Sequence, residues 1–214
     1  MEYTKKEEVA NSLSHGIGAI LSIVALVIMV VFAAFTGDKY KISSVCIFGI
    51  SLIILYTMST IYHAITNENA KKVLRIIDHS SVYLLIAGTY TPYALIILRQ
   101  NGAIGWYLFA IIWSLAILGI LFSIKFTGRF KILTTLLYIA MGWIIIFVFP
   151  QMWQIMQSLN IIDSLYWLLA SGVFYTIGTV FYILKKVKYF HSIWHLFVIL
   201  GSVCSFISVM FYII

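Results

Sequence analysis

Phe190-His191-Ser192-Ile193-Trp194-His195 opens an apolar run that continues to residue 213. Two histidines four apart on a helix differ by only ~40° around its axis, so their rings leave one face a turn apart. That spacing suits two ligands of one metal ion. Ionisable groups at the mouth of such a run are costly, and they usually face a protein interior or an aqueous cavity. The basic cluster Lys185, Lys186 and Lys188 lies just ahead of it.

Apolar stretches of spanning length, about 17–25 residues, fall at 15–36, 42–66, 76–98, 104–123, 131–149, 164–184 and 190–213. They predict an all-α, polytopic seven-transmembrane helix bundle, one domain over 1–214 with a short segment 1–14 ahead of the first span. Composition agrees. Hydrophobic residues make up 63% of the 214 and charged residues 10%, where a soluble domain carries about 25% charged. The first run follows a polar, mixed-charge stretch and is too long for the core of a cleaved signal peptide. Gln151 to Asp163, after Pro150, reads as a loop or interfacial turn carrying Trp153. Cys46 and Cys204 lie in apolar runs and read as small packing residues, not a disulfide or redox pair.

Charge sets the orientation. With seven spans, Lys5, Lys6, Lys71, Lys72, Arg75, Lys125, Arg129, Lys131, Lys185, Lys186 and Lys188 share one side, and only Lys39, Lys41 and Arg99 the other. Eleven against three is a positive-inside bias that predicts a cytoplasmic N-terminus and an external C-terminus. The net charge of +7 is therefore topological. It can attract anionic membrane lipids, but it gives no reason to expect a nucleic-acid partner.

In this topology His15 opens the first span, His63 closes the second, His79 opens the third beside Asp78, and His191 and His195 open the seventh. All five histidines fall at the same ends of four helices. The connection from Asn67 to Arg75 is short, so the second and third helices are antiparallel neighbours, with His63 and Asp78 at similar depth. Three imidazoles are the protein ligands of a catalytic zinc whose fourth position is left for water, and a carboxylate nearby can deprotonate that water. His63, His191 and His195 are accordingly the candidate ligands of a zinc ion. Asp78, the only acidic residue well inside any apolar run, is the candidate base. Ser59, one turn before His63 on the same helical face, can hydrogen-bond a bound water or a substrate carbonyl. His79 points ~100° away from Asp78 on a helix and is left out of the ligand set. His15 is expected to pack against the site or to bond a carboxylate or ligand ring. Arg75 reads as a headgroup contact or ion pair. Pro92 removes a backbone donor well inside the third helix and is expected to kink it, and Gly16, Gly18 and Gly88 permit close helix approach.

Several ordered motifs carry a resemblance. Glu8-x-x-Asn11-Ser12-x-x-His15-Gly16-Ile17-Gly18 is followed by Ser59-x-x-Tyr62-His63. Asp78-His79-x-x-x-Tyr83-Leu84-Leu85-Ile86-Ala87-Gly88-Thr89-Tyr90-Thr91-Pro92 comes next, then His191-x-x-x-His195. Together these resemble the bacterial hemolysin III family, which is grouped with the progestin and adiponectin receptors and, more distantly, the alkaline ceramidases in a proposed membrane hydrolase superfamily. The resemblance covers essentially the whole chain. It implies a zinc held by His63, His191 and His195, with Asp78 and Ser59 around the water. His79 matches a position that is not histidine in the receptors. The long N-terminal extension of the receptors is missing ahead of the first motif, so hormone reception is not expected.

Three functions follow as expectations. The first is a zinc-dependent hydrolase of a lipid amide or ester in the cell membrane, serving membrane lipid homeostasis. The second is a channel-forming cytolysin, as the family name implies, although no acidic ring or recognisable filter is present. The third is a receptor-like sensor whose zinc is structural. A retinal pump is not expected, because no span has a central lysine for a Schiff base.

Overall fold

The computed structural model describes residues 3–184 and 187–214. Lys185 and Lys186, two of the basic residues counted above, lie outside the described residues. No β-strand occurs among the described residues, and seven helical spans are long and apolar enough to cross a membrane. The chain is an all-α bundle of seven spans, as the apolar runs predict.

The first span is α1 (Lys5–Thr36), which starts ten residues before the apolar run. A capping box accounts for the early start. The Thr4 hydroxyl accepts from Glu7 N at 3.3 Å, and the Glu7 carboxylate accepts from Thr4 N at 2.9 Å, so the first orphan amides are satisfied reciprocally. His15 therefore sits in the third turn of a helix and does not open one. Gly37, at φ 66°, ends α1 in the left-handed conformation, and the Asp38 carboxylate caps α2 (Lys39–Ala64) by accepting from Tyr40 N at 2.7 Å.

Only residues 65–67 connect α2 to α3 (Glu68–Pro92). The Asn67 side chain caps α3 by accepting from Asn69 N and Ala70 N at 3.1 and 3.0 Å, so residues 68–75 are helix where a loop was expected. Asp78 lies almost three turns into α3 instead of one. The same extension brings Glu7, Glu8 and Glu68 into spanning helices, outside the apolar runs. The third span is the centre of the bundle: 83% of its apolar window is buried, against at most 50% for any other span. Gly88 lets α3 lie against α2, since a Cβ there would run into the Ser51 side chain, and Gly18 does the same for the Tyr56 ring. Gly16 makes only ordinary contacts. Pro92 ends the α-helical part, and a π turn (Tyr93–Ile97) and a 3-10 turn (Leu98–Asn101) follow. The missing proline amide shifts the hydrogen-bond pattern without stopping the span.

After α4 (Ile104–Phe126), the fifth span is broken. It consists of α5 (Lys131–Gly142), a 3-10 turn (Ile144–Val148) and α6 (Phe149–Ser158). Residues 151–158 are thus helix continuing the span, not a loop, and Trp153 lies within α6. Pro150 cannot donate into a preceding helix but fits the first turn of a new one. A broken backbone inside a bilayer needs other partners, and Tyr90 of α3 supplies them. Its hydroxyl donates to Gly142 O at 2.6 Å and accepts from Ile145 N at 2.9 Å. The bundle closes with α7 (Ile162–Ile183) and α8 (Phe190–Ser208), the latter continued by a π turn (Val209–Ile213). Cys46 and Cys204 are unpaired.

Candidate metal centre

The start of α8, the end of α2 and the first three turns of α1 meet at one end of the bundle. His63, His191 and His195 are all buried there, at 3%, 8% and 1% exposure. His191 Nε2 lies 3.2 Å from His63 Nε2 and 3.2 Å from His195 Nε2. Zn–N distances of about 2.0–2.1 Å in a tetrahedron place ligand nitrogens roughly 3.3 Å apart, so the spacing is that of a shared ion. Among the described residues this is the one group of three or more potential ligands close enough to hold a metal.

Their outer partners show which nitrogens are free to do so. His63 Nδ1–H donates to Glu8 Oε2 at 2.6 Å, and Lys71 Nζ donates to the other carboxylate oxygen at 2.6 Å. His195 Nδ1–H donates to the Asn11 carbonyl at 3.1 Å and lies 3.0 Å from Ser14 Oγ. A ring that donates through Nδ1 carries a lone pair on Nε2, so both rings aim lone pairs at the same point as His191 Nε2. One shared proton from His191 can answer only one of them, whereas a cation answers all three. The residues present therefore fit a metal ion, and the carboxylate–histidine and carbonyl–histidine contacts are the outer support such ligands have.

The first turns of α1 make up much of this support. Ser192 of α8 donates to Asn11 Oδ1, and Tyr189 N donates to Glu7 at 3.0 Å, tying α1 to the start of α8. Tyr3 stacks on His191 with centroids 5.0 Å apart, and Tyr62 sits edge-on to His63 at 4.6 Å. Sequence reasoning gave Glu8, Asn11, Ser14 and Lys71 no role at the metal centre. A signal was present: Thr4-x-x-Glu7 is a helix start, and once it is placed, Glu8, Asn11, Ser12 and His15 fall on one helical face.

A cavity of about 140 Å³ begins at the histidines and runs into the bundle. His15, Ser59, Asp78, His79, His191 and His195 line its polar end. From Asp78 to Tyr90 along α3 it extends about 18 Å. Leu85, Ile86, Ile139, Ile145, Leu168 and Val198 make much of it apolar, with hydroxyls from Ser171, Tyr175, Thr176 and Thr179 along α7. Of the sequence-predicted site residues, the structure thus joins the three histidines in one cluster and brings Ser59 and Asp78 to the lining of the same cavity. Asp78 is outside the group close enough to hold a metal. His79 is also outside it: its Nδ1–H donates to Asp78 at 3.1 Å, and its Nε2 lies 3.2 Å from the Tyr182 hydroxyl. His15 packs its ring on His195, with centroids 3.6 Å apart.

Seven apolar spans around a buried three-histidine cluster define a multi-pass membrane protein with a candidate metal centre. The family model described as Haemolysin-III related matches residues 3–206, and the chain belongs to that family. It is 46% identical to the "Hemolysin-3 homolog" of Bacillus subtilis (strain 168) over 98% of this chain and 96% of that protein. It is 45% identical to "Hemolysin-3" of Bacillus cereus over 98% and 93%. A more distant similarity, 26% identity over 95% and 83%, links it to the human "Monocyte to macrophage differentiation factor".

Proposed function

We propose that the protein is a zinc-dependent hydrolase of an amide or ester bond in a membrane lipid. The observation that carries this reading is the junction itself: three converging imidazole nitrogens at the polar end of a long, largely apolar cavity. Three neutral imidazoles with no thiolate form a donor set that suits zinc and is used in catalytic sites with an open position. Bound there, zinc would polarise a carbonyl and make water a nucleophile near neutral pH. The chain's own residues supply the rest. The apolar walls take the lipid chain and exclude bulk water. The Ser59 hydroxyl donates to the carbonyl oxygen as charge develops on it. Asp78 accepts the proton of the attacking water and returns it to the leaving nitrogen or oxygen.

We place the centre on the cytoplasmic side of the bacterial plasma membrane. The supporting feature is charge. At the histidine end lie Lys71, Lys72 and Arg75 in the first turns of α3, Lys125 at the end of α4, Arg129 in the connection after it and Lys131 at the start of α5. Lys39 and Lys41 at the start of α2 and Arg99 at the end of the third span lie at the other. Reporter fusions at Lys71 and at Ile214 should lie on opposite sides, the first inside. Both on one side would discard this orientation.

Asp78→Asn tests the hydrolase reading. Products that form from a membrane lipid extract with the purified protein, and not with a chelator, identify the reaction. The variant is expected to keep zinc and thermal stability while the rate falls by ~10²–10⁴. The name of the Bacillus cereus relative, "Hemolysin-3", favours a second reading, permeabilisation of membranes. An Asp78→Asn protein that keeps zinc and loses no permeabilising activity, with no chelator-sensitive product from the wild type, would replace the first reading with the second.

A further inference from the structure

His15 in the third turn of α1 is a buried group that the proposed chemistry does not use. It is 3% exposed and lines the cavity beside Ser59 and Leu55. Its ring lies nearly parallel to that of His195, 11° between planes, and edge-on to Tyr56 at 4.9 Å. Stacked in this way it cannot aim a lone pair at the point where the other three converge, and it is not among the group close enough to share an ion. Neither Nδ1 nor Nε2 completes a hydrogen bond to the protein. Buried polar atoms are nearly always paired, because leaving them unpaired forfeits their hydration. A phenyl ring would fill the same slot between His195 and Tyr56 without that loss.

A neutral imidazole offers one donor and one acceptor. On a cavity wall, next to the residues that surround the candidate metal, the fitting partner is a group that can both accept and donate. We infer that His15 binds the polar head of the cavity's ligand, and that this head carries a hydroxyl or an amide. The inference rests on the reading that the cavity receives a lipid chain. It assigns to His15 the choice among head groups, separate from the cleavage assigned to Asp78 and Ser59.

The test measures equilibrium binding to zinc-loaded protein in detergent, using two chains of equal length. N-oleoylethanolamine carries an amide and a hydroxyl, and 1-octadecene carries no head. Comparing each variant with wild type for both chains cancels their unequal partition into micelles. His15→Phe keeps the ring on His195 and Tyr56 but removes both nitrogens. It should weaken the ethanolamide ~10-fold, leave octadecene unchanged and retain zinc. His15→Leu is read the same way if the phenyl variant does not fold. An equal loss for both chains would make His15 only a wall, and no change for either would mean that solvent satisfies its nitrogens; each result overturns the inference. Loss of zinc in both variants would also overturn it, by making His15 a support for His195. If wild type binds neither chain, the lipid-cavity reading itself fails and the inference falls with it.

Discussion

His63 and His79 stand at the same end of the bundle, each against a carboxylate, yet only one belongs to the cluster close enough to share a metal ion. At His63 the carboxylate comes from another helix: Glu8 of α1 accepts from Nδ1 at 2.6 Å and is itself held by Lys71 of α3. The far nitrogen then meets only other imidazole nitrogens, 3.2 Å away at His191. At His79 the carboxylate is the neighbour in the chain, Asp78, at 3.1 Å, and the far nitrogen meets the Tyr182 hydroxyl. Both rings are oriented by an acid through Nδ1. What differs is whether Nε2 already has a proton donor. An imidazole with a hydroxyl on its second nitrogen is satisfied, whereas one facing other lone pairs is a ligand waiting for a cation.

The largest effect should come from removing a ring on either side of this comparison. His63→Ala is expected to abolish stoichiometric zinc in the purified protein, while His79→Ala retains one ion per chain, as measured by inductively coupled plasma mass spectrometry. Equal zinc in both would erase the distinction between the two rings. Acid should come next. Protons compete with the metal for the same Nε2 lone pairs, so affinity is highest where the rings are neutral and falls as pH drops below ~6. With three ligands the fall should be steeper than for a single histidine, and a zinc titration from pH 8 to pH 5 reads it. A pH-independent affinity would mean that carboxylates, not imidazoles, hold the ion.

Neutralising the two acids gives the smallest effect and sharpens the contrast most. Glu8→Gln removes the charge behind His63 and the pair with Lys71, and should weaken zinc by ~10–100-fold in competition with a chelating dye. Asp78→Asn, behind His79, should leave zinc affinity as it is. The reverse order of effects would assign Asp78 to the metal and Glu8 to the scaffold.

The seven spans were legible because an apolar run of about twenty residues has few alternatives once bilayer thickness is considered. The triad was legible for a related reason: His191 and His195 share a helical face by spacing alone, and a count of spans puts His63 at the same end. The polar ends were harder to read. Residues 4–14 and 67–75 look like connections by hydropathy, yet Thr4 with Glu7 and Asn67 cap them into helix. Hydropathy registers what faces lipid and is blind to polar helical turns that dock on other helices. The break at Trp143 was unreadable for a different reason, since the backbone groups it frees are met by Tyr90, a residue more than fifty positions away.

The sequence by itself determined the class of fold, the number of spans and which histidines reach the same end. Those follow from local quantities: apolar length, helical periodicity and the alternation of sides along a chain that crosses a membrane. Only the tertiary structure decided that Glu8 and Asn11 of α1 hold His63 and His195, that His79 turns its free nitrogen to Tyr182, and that His15 lies flat on His195 with both nitrogens unpaired. Each of these is a pairing between side chains on different helices. Helix rotation and depth of packing set such pairings, and no periodicity within a single segment encodes them.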